Sequence, residues 1–210
     1  YLIVYEQIVK PITPGQALLV DTIKNKIITI CDGPAGSGKT TLAVAHALEQ
    51  LDFGNIEKII ITRPAVEAEE KIGSLPGSHQ EKVAPYMQPI FDAFHLMVPK
   101  ESFRDAKSSI TVEPMGFLRG RTFKKAFIIL DEAQNTTPRQ MKLFLTRLGE
   151  GSKMVVVGDS EQSDIKKRNG LSQAIKTLAP ISRIGIVKLT NKDIVRHDLI
   201  SEILEHYTLD

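Results

Sequence analysis

With one cysteine in 210 residues, the chain cannot form an internal disulfide or supply a multi-cysteine zinc site. Such a chain suits a reducing compartment, so a cytoplasmic location is expected. No apolar run approaches the roughly 20 residues needed to span a bilayer, so no membrane contact is expected. The first residues carry no charged stretch followed by an apolar run and a small-residue cleavage site, so no signal peptide is read. The first residue is Tyr1 rather than Met, which points to a trimmed or processed start. Charge of one sign is also lacking. Lys plus Arg total 27 against 25 for Asp plus Glu, a net of +2, and a dedicated duplex-DNA binder would be more basic. Any nucleic-acid contact must therefore come from local patches. There is no internal repeat and no low-complexity tract. What remains, 42% hydrophobic and 25% charged residues, is the balance of a soluble globular domain. It argues against a disordered tail, a collagen or a coiled coil.

Six β-branched or apolar runs recur along the chain, at 26–31, 58–62, 110–112, 126–130, 154–157 and 184–189. Several are apolar at successive positions, as in strands covered by helices on both faces, so a mostly parallel sheet is expected. Helical stretches lie between them. Thr13-Pro14-Gly15-Gln16 and Thr137-Pro138-Arg139-Gln140 each offer a capping hydroxyl, a proline at the first helical position and a glutamine three residues after the cap. The helix opened by the second is expected to stop at Gly149. Others are expected over 41–51, after Gly170 to before Pro180, and over 198–206. The alternation predicts one α/β doubly wound domain over 1–210. Between Arg63 and Ile110 five prolines break the rhythm, which suggests an insertion at about 64–109 with a short helix near 89–97.

Gly33-Pro34-Ala35-Gly36-Ser37-Gly38-Lys39-Thr40 fits the phosphate-loop pattern in full, with a strand before it and a helix from Thr41 after it. Glycines let backbone N–H groups turn toward phosphate oxygens, and the helix N-terminus adds partial positive charge. Lys39 can reach the β- and γ-phosphates, and the Thr40 hydroxyl suits Mg²⁺. The residues from Gly33 to Thr41 are thus the expected nucleotide contacts. Cys31, just before Asp32, reads as a small core residue. Five histidines show no paired ligand spacing, so no metal beyond Mg²⁺ is assigned.

The run 127–130 ends in Asp131-Glu132. At the C-terminal edge of a parallel sheet, Asp131 would hold the metal shell and Glu132 would act as general base on water. A third strand end, Gly158-Asp159, is followed by Gln162, whose amide suits a γ-phosphate sensor. An arginine to balance transition-state charge is expected at Arg196, with Arg63 as runner-up. Arg139 and Arg147 read as solvated. Gln16 suits either an adenine contact or the capping box. Arg119-Gly120-Arg121-Thr122-Phe123-Lys124-Lys125, with Phe117, suits a single-stranded nucleic acid equally with a solvated loop. Lys166-Lys167-Arg168 is a weaker patch.

These segments together resemble the PhoH family of P-loop ATPases, related to the superfamily 1 helicase core. The resemblance covers nearly the whole chain. It includes Thr13 to Gln16, Gly33 to Thr40, Thr62-Arg63-Pro64-Ala65-Val66-Glu67-Ala68, Pro85-Tyr86, Phe117 to Phe123, Ile129-Leu130-Asp131-Glu132-Ala133-Gln134-Asn135, Thr146-Arg147-Leu148-Gly149 and Gly158-Asp159. It implies a RecA-like fold, ATP and Mg²⁺ as cofactors, ATP hydrolysis, a cytoplasmic location and a role in RNA metabolism, with helicase-like activity in some relatives. Two departures stand out. Ser163-Asp164-Ile165-Lys166 replaces the family's acid-leucine-proline run, and Ser37 stands where threonine is common. The additional RNA-binding and PIN nuclease domains of some relatives find no match, so nuclease chemistry is not carried over.

The resulting expectation is an ATPase that binds, remodels or unwinds single-stranded RNA or DNA. An ATP-dependent switch without motor action is the alternative, and a small-molecule or nucleotide kinase is a further one. Related helicases close their nucleotide site between two such domains. A chain with one is therefore expected to work as a homo-oligomer, a hexameric ring above all, with 64–109 as a contact surface.

Overall fold

The computed structural model describes residues 9–64, 88–94, 97–98, 107–163 and 169–195. The expected helix at 198–206, the patch at 166–168, Arg196 and most of the segment 64–109 lie outside the described residues.

All six apolar runs are strands: β1 Ile28–Asp32, β2 Lys58–Arg63, β3 Ile110–Pro114, β4 Ala126–Leu130, β5 Lys153–Gly158 and β6 Ile184–Lys188. They form one sheet in the order β3-β2-β4-β5-β1-β6, and every recorded pairing is parallel. Observed ends differ from expectation by up to two residues. β1 begins at Ile28 rather than Lys26, because Lys26 closes the preceding helix as its C-cap.

The central strands are buried on both faces, as their continuous apolar character requires. Alternate side chains split between two cores. Phe127 and Ile129 join Ile59, Val155 and Val157 on one face. Ile128 and Leu130 join Ile60, Met154 and Val156 on the other. Helices α1 (Pro14–Asn25) and α2 (Lys39–Asp52) cover the first face through Leu19, Ile23, Val44 and Leu48. The helical stretch 88–94 contributes Ile90 and Phe94 to that core. Helices α3 (Pro138–Leu145) and α4 (Gly170–Leu178) cover the second face through Met141, Phe144, Leu171 and Ala174. Among the described residues no helix is long and apolar enough to cross a membrane.

The capping signatures at Thr13 and Thr137 both form complete capping boxes with Gln16 and Gln140. The end of α3 differs from expectation. The helix stops at Leu145, not Gly149, because the chain turns so that Leu148 can bridge to Phe123 in parallel. Gly149 serves close packing instead: a Cβ there would lie 2.3 Å from the Phe123 carbonyl oxygen.

Candidate active site

The strand order sets the site. β5 lies between β1 and β4, so the C-terminal ends of these three strands stand side by side. The phosphate loop leaves β1, the acid pair leaves β4, and the Asp159–Gln162 turn leaves β5.

In the phosphate loop, Gly36 and Gly38 hold φ of 77° and 76°, a region strained for any residue with a Cβ. Gly38 is also the N-cap of α2. The free N–H groups of that helix start therefore belong to the loop, where anions bind. Ser37 is fully buried, and its hydroxyl donates to the Pro34 carbonyl at 2.7 Å. The Lys39 ammonium donates to the same carbonyl at 3.0 Å. A cleft of 420 Å³ opens here, lined by Val9, Ile12 and Leu42 with Gly36, Lys39 and Thr41. Gly33 lies deeper, hydrogen-bonded through its N–H to the Gly158 carbonyl.

Thr40 and Asp131 are 91 residues apart in sequence, yet the Thr40 hydroxyl donates to Asp131 Oδ1 at 2.9 Å. Asp131 Oδ2 accepts two bonds from Arg63, from Nε at 2.9 Å and Nη2 at 2.7 Å. The pair is buried, with side-chain exposures of 12% and 6%. A buried carboxylate is tolerated because it is paired and hydrogen-bonded. One hydroxyl beside one carboxylate is the protein share of an Mg²⁺ shell that phosphates and waters complete. The residues present fit that ion. Arg63, the runner-up arginine, thus lies on the expected metal acid.

Glu132 follows in a left-handed backbone conformation, φ 55° and ψ 40°, a strained state for a non-glycine residue. This turns its side chain differently from that of Asp131. Its Oε2 accepts from Gln134 Nε2 at 2.6 Å. Gln134, 3% exposed, also accepts from the Asp159 N–H through Oε1 at 3.0 Å. One buried amide therefore joins the end of β4 to the turn after β5. Residue-by-residue reasoning missed this role. The available signal was an amide two residues beyond an acid pair at a strand end.

Gln162 closes the short 3-10 turn Ser160–Gln162. It is exposed, and its side-chain amide has no hydrogen-bond partner among the described residues. Gln16 is different. It is 4% exposed, with Oε1 accepting from the Ile12 N–H at 2.7 Å and Nε2 donating to the Ser37 carbonyl at 3.0 Å. Its amide forms the capping box and holds the phosphate loop, so an adenine contact would have to displace these bonds. Val195 N–H donates to the Gly36 carbonyl at 3.1 Å, which anchors the chain on the loop just ahead of Arg196. Burial pushes the Cys31 thiol up to about 12, as befits a core residue.

The basic stretch divides. Phe123, expected as a stacking ring, is 2% exposed and belongs to the core. The Arg121 guanidinium sits 4.7 Å from its ring centroid and pairs with Glu113 at 2.6 Å. Arg147, expected as solvated, donates to the carbonyls of Leu143 and Arg121. Phe117 is 51% exposed, and Arg119 is exposed beside it. Both line a separate 450 Å³ cleft with Leu143 and Arg147.

A phosphate loop and an acid pair at the ends of two parallel strands, with a third strand between them, define a P-loop NTPase of the RecA-like fold. The chain belongs to the PhoH family: the family described as PhoH-like protein matches residues 8–208. It is 48% identical over 203 residues to a PhoH-like protein of Mycobacterium tuberculosis (strain ATCC 25618 / H37Rv), covering 95% of this chain and 58% of that one. It is 47% identical to a PhoH-like protein of Bacillus subtilis (strain 168), over 93% of this chain and 62% of the relative. With Protein PhoH of Escherichia coli (strain K12) it shares 38% identity, over 92% and 56% respectively. The chain thus spans about three-fifths of the length of these relatives. In fold it is similar to the large terminase of the thermophilic bacteriophage D6E, with a TM-score of 0.55 and 12% identity over 95% of this chain and 51% of the terminase.

Proposed function

We propose that this domain binds ATP with Mg²⁺, hydrolyses it, and couples turnover to single-stranded RNA or DNA. The observation that carries hydrolysis is the Thr40–Asp131 contact with Glu132 directly after it. It brings a phosphate-loop hydroxyl, a metal acid and a separate carboxylate to one strand edge. Lys39 and the loop N–H groups hold the β- and γ-phosphates. Thr40 and Asp131 hold Mg²⁺, which when bound neutralises phosphate charge. Glu132 takes a proton from the attacking water as its oxygen bonds to the γ-phosphorus and the bond to the β-phosphate oxygen breaks. ADP and phosphate leave, and the proton passes to solvent. Gln162 reads the γ-phosphate. Arg63 or Arg196 balances charge in the transition state.

An ADP complex of the D6E large terminase is similar in fold (TM-score 0.52, 12% identity) and supports the nucleotide part of this reading. The nucleic-acid part rests on exposed Arg119 and Phe117, a charge beside a ring. A homo-oligomer, with a hexameric ring as the favoured form, and a cytoplasmic location complete the proposal.

Glu132→Gln tests the chemistry. It is expected to retain ATP binding and to lose about 100-fold or more in kcat. Full turnover in this variant would overturn the assignment. Stimulation by single-stranded RNA and DNA tests coupling, and an ATPase indifferent to both would be a switch rather than a motor. Mass measurement with and without a slowly hydrolysed ATP analogue tests assembly.

A further inference from the structure

Asp32 is a costly residue in its position. It ends β1, a strand buried at every residue, and is itself 8% exposed. A carboxylate there needs partners to offset its lost hydration. Both of its oxygens are satisfied by a single residue from another strand's loop. The Ser160 N–H donates to Oδ1 at 2.8 Å, and the Ser160 hydroxyl donates to Oδ2 at 2.7 Å.

The topology explains the encounter. Asp32 pairs in register with Gly158, the last residue of β5. The chain leaves β5 at Asp159 and turns back toward β1. Ser160 is thus the first residue of the turn that ends in Gln162. The Asp159 carboxylate accepts from Glu161 N–H, and its carbonyl accepts from Gln162 N–H. Gln134 holds the other side of the turn, at Asp159 N–H and at the Ser163 hydroxyl. Asp32 is the clamp on the phosphate-loop side, one residue ahead of Gly33. Charge-assisted bonds of this kind are short and orienting.

We propose that Asp32 is a positioning residue for the γ-phosphate sensor: by gripping Ser160 it holds the Gln162 turn in register with the phosphate loop. This rests on Gln162 acting as that sensor. ADP, which lacks the γ-phosphate, should be blind to the clamp. A slowly hydrolysed ATP analogue should feel it.

The test compares affinities for ADP and for such an analogue, both with Mg²⁺, together with kcat, in Asp32→Ala, Asp32→Asn, Ser160→Ala, Asp32→Ala/Ser160→Ala and Gln162→Ala. Asp32→Ala should lower the analogue-to-ADP affinity ratio and kcat by about tenfold, with ADP affinity held within about twofold. Asp32→Asn keeps an oxygen for the Ser160 N–H and should recover most of the loss. Ser160→Ala should lose part of the ratio, and the double variant should be no worse than Asp32→Ala. An equal fall in ADP affinity would mean damage to the phosphate loop and would overturn the proposal. So would an unchanged ratio in Asp32→Ala when Gln162→Ala lowers it. An unchanged ratio in Gln162→Ala would instead remove the sensor reading itself. If Asp32→Ala fails to fold, Ser160→Ala decides: an unchanged ratio there overturns the clamp.

Discussion

The acids at the phosphate edge are buried and gripped, whereas the cations of 119–125 face solvent. Asp32, Asp131 and Asp159 are 8%, 4% and 8% exposed, and each accepts from named donors. Arg119, Arg121, Lys124 and Lys125 are exposed. Even the pair formed by Lys125 and Glu57 has side-chain exposures of 65% and 67%, too solvated to hold a geometry. The two regions teach different uses of charge. A buried charge is costly when unpaired, so it locks its surroundings into one arrangement. Exposed cations hold their surroundings far less, Arg121 over Phe123 and beside Glu113 excepted, but they attract a polyanion whatever its sequence.

The largest expected effect tests the gripped region. Lys39→Ala should reduce ATP hydrolysis by about 100-fold or more, read as kcat/KM in a steady-state assay. Substantial turnover would mean that the phosphates are held elsewhere. Next comes the boundary between the regions, where two phenylalanines lie six positions apart in sequence. Phe123→Ala should cost about 3–5 kcal/mol in chemical denaturation, because a core ring leaves a cavity. Phe117→Ala, at a ring 51% exposed, should cost clearly less than Phe123→Ala. Together with Arg119→Ala it should weaken single-stranded RNA binding several-fold and flatten its salt dependence. If Phe123→Ala proves as stable as Phe117→Ala, the two rings do not divide into core and surface.

The smallest expected effect concerns pH. Burial lowers the His46 pKa against the opposing pull of Glu49, which lies 3.1 Å away. Between the lowered folded value and the ordinary value near 6.5, the unfolded chain binds more protons. Stability should therefore be fully present above about 6.5 and fall as pH drops through that window. His46→Gln should flatten the decline. A wild-type profile without slope between about pH 5 and 7 would remove His46 from the account.

Strand identity, the phosphate loop and the acid pair were legible because each depends on neighbours in sequence. The β-branched runs at 58–62 and 126–130 declare strands by composition, and Thr13 and Thr137 declare helix starts by spacing. Strand order was not legible, since parallel neighbours are joined by distant crossovers. What depends on that order stayed hidden with it. Gln134 bonds Asp159, 25 residues away, and Asp32 bonds Ser160, 128 residues away. Neither pairing leaves a local trace. Phe123 misled for a related reason. Its flanking arginine and lysines suggested a surface, while its ring belongs to the core built by β2, β4, β5 and the helices α3 and α4 from distant segments.

The phosphate loop is also a knot that ties together chain segments distant in sequence. The Thr13 hydroxyl donates to Asp193 at 2.6 Å across 180 residues. Gln16 reaches the loop at Ser37 and also donates to the Asp193 carbonyl, and Val195 reaches the loop at Gly36. Whatever steadies the loop must then steady both segments. Ligand binding to the folded state raises the free energy of every opening that destroys the site. Nucleotide should therefore slow amide exchange at 12–16 and at 190–195 in parallel, far from the phosphates in sequence, so that occupancy of one cleft is written into two remote stretches of the backbone.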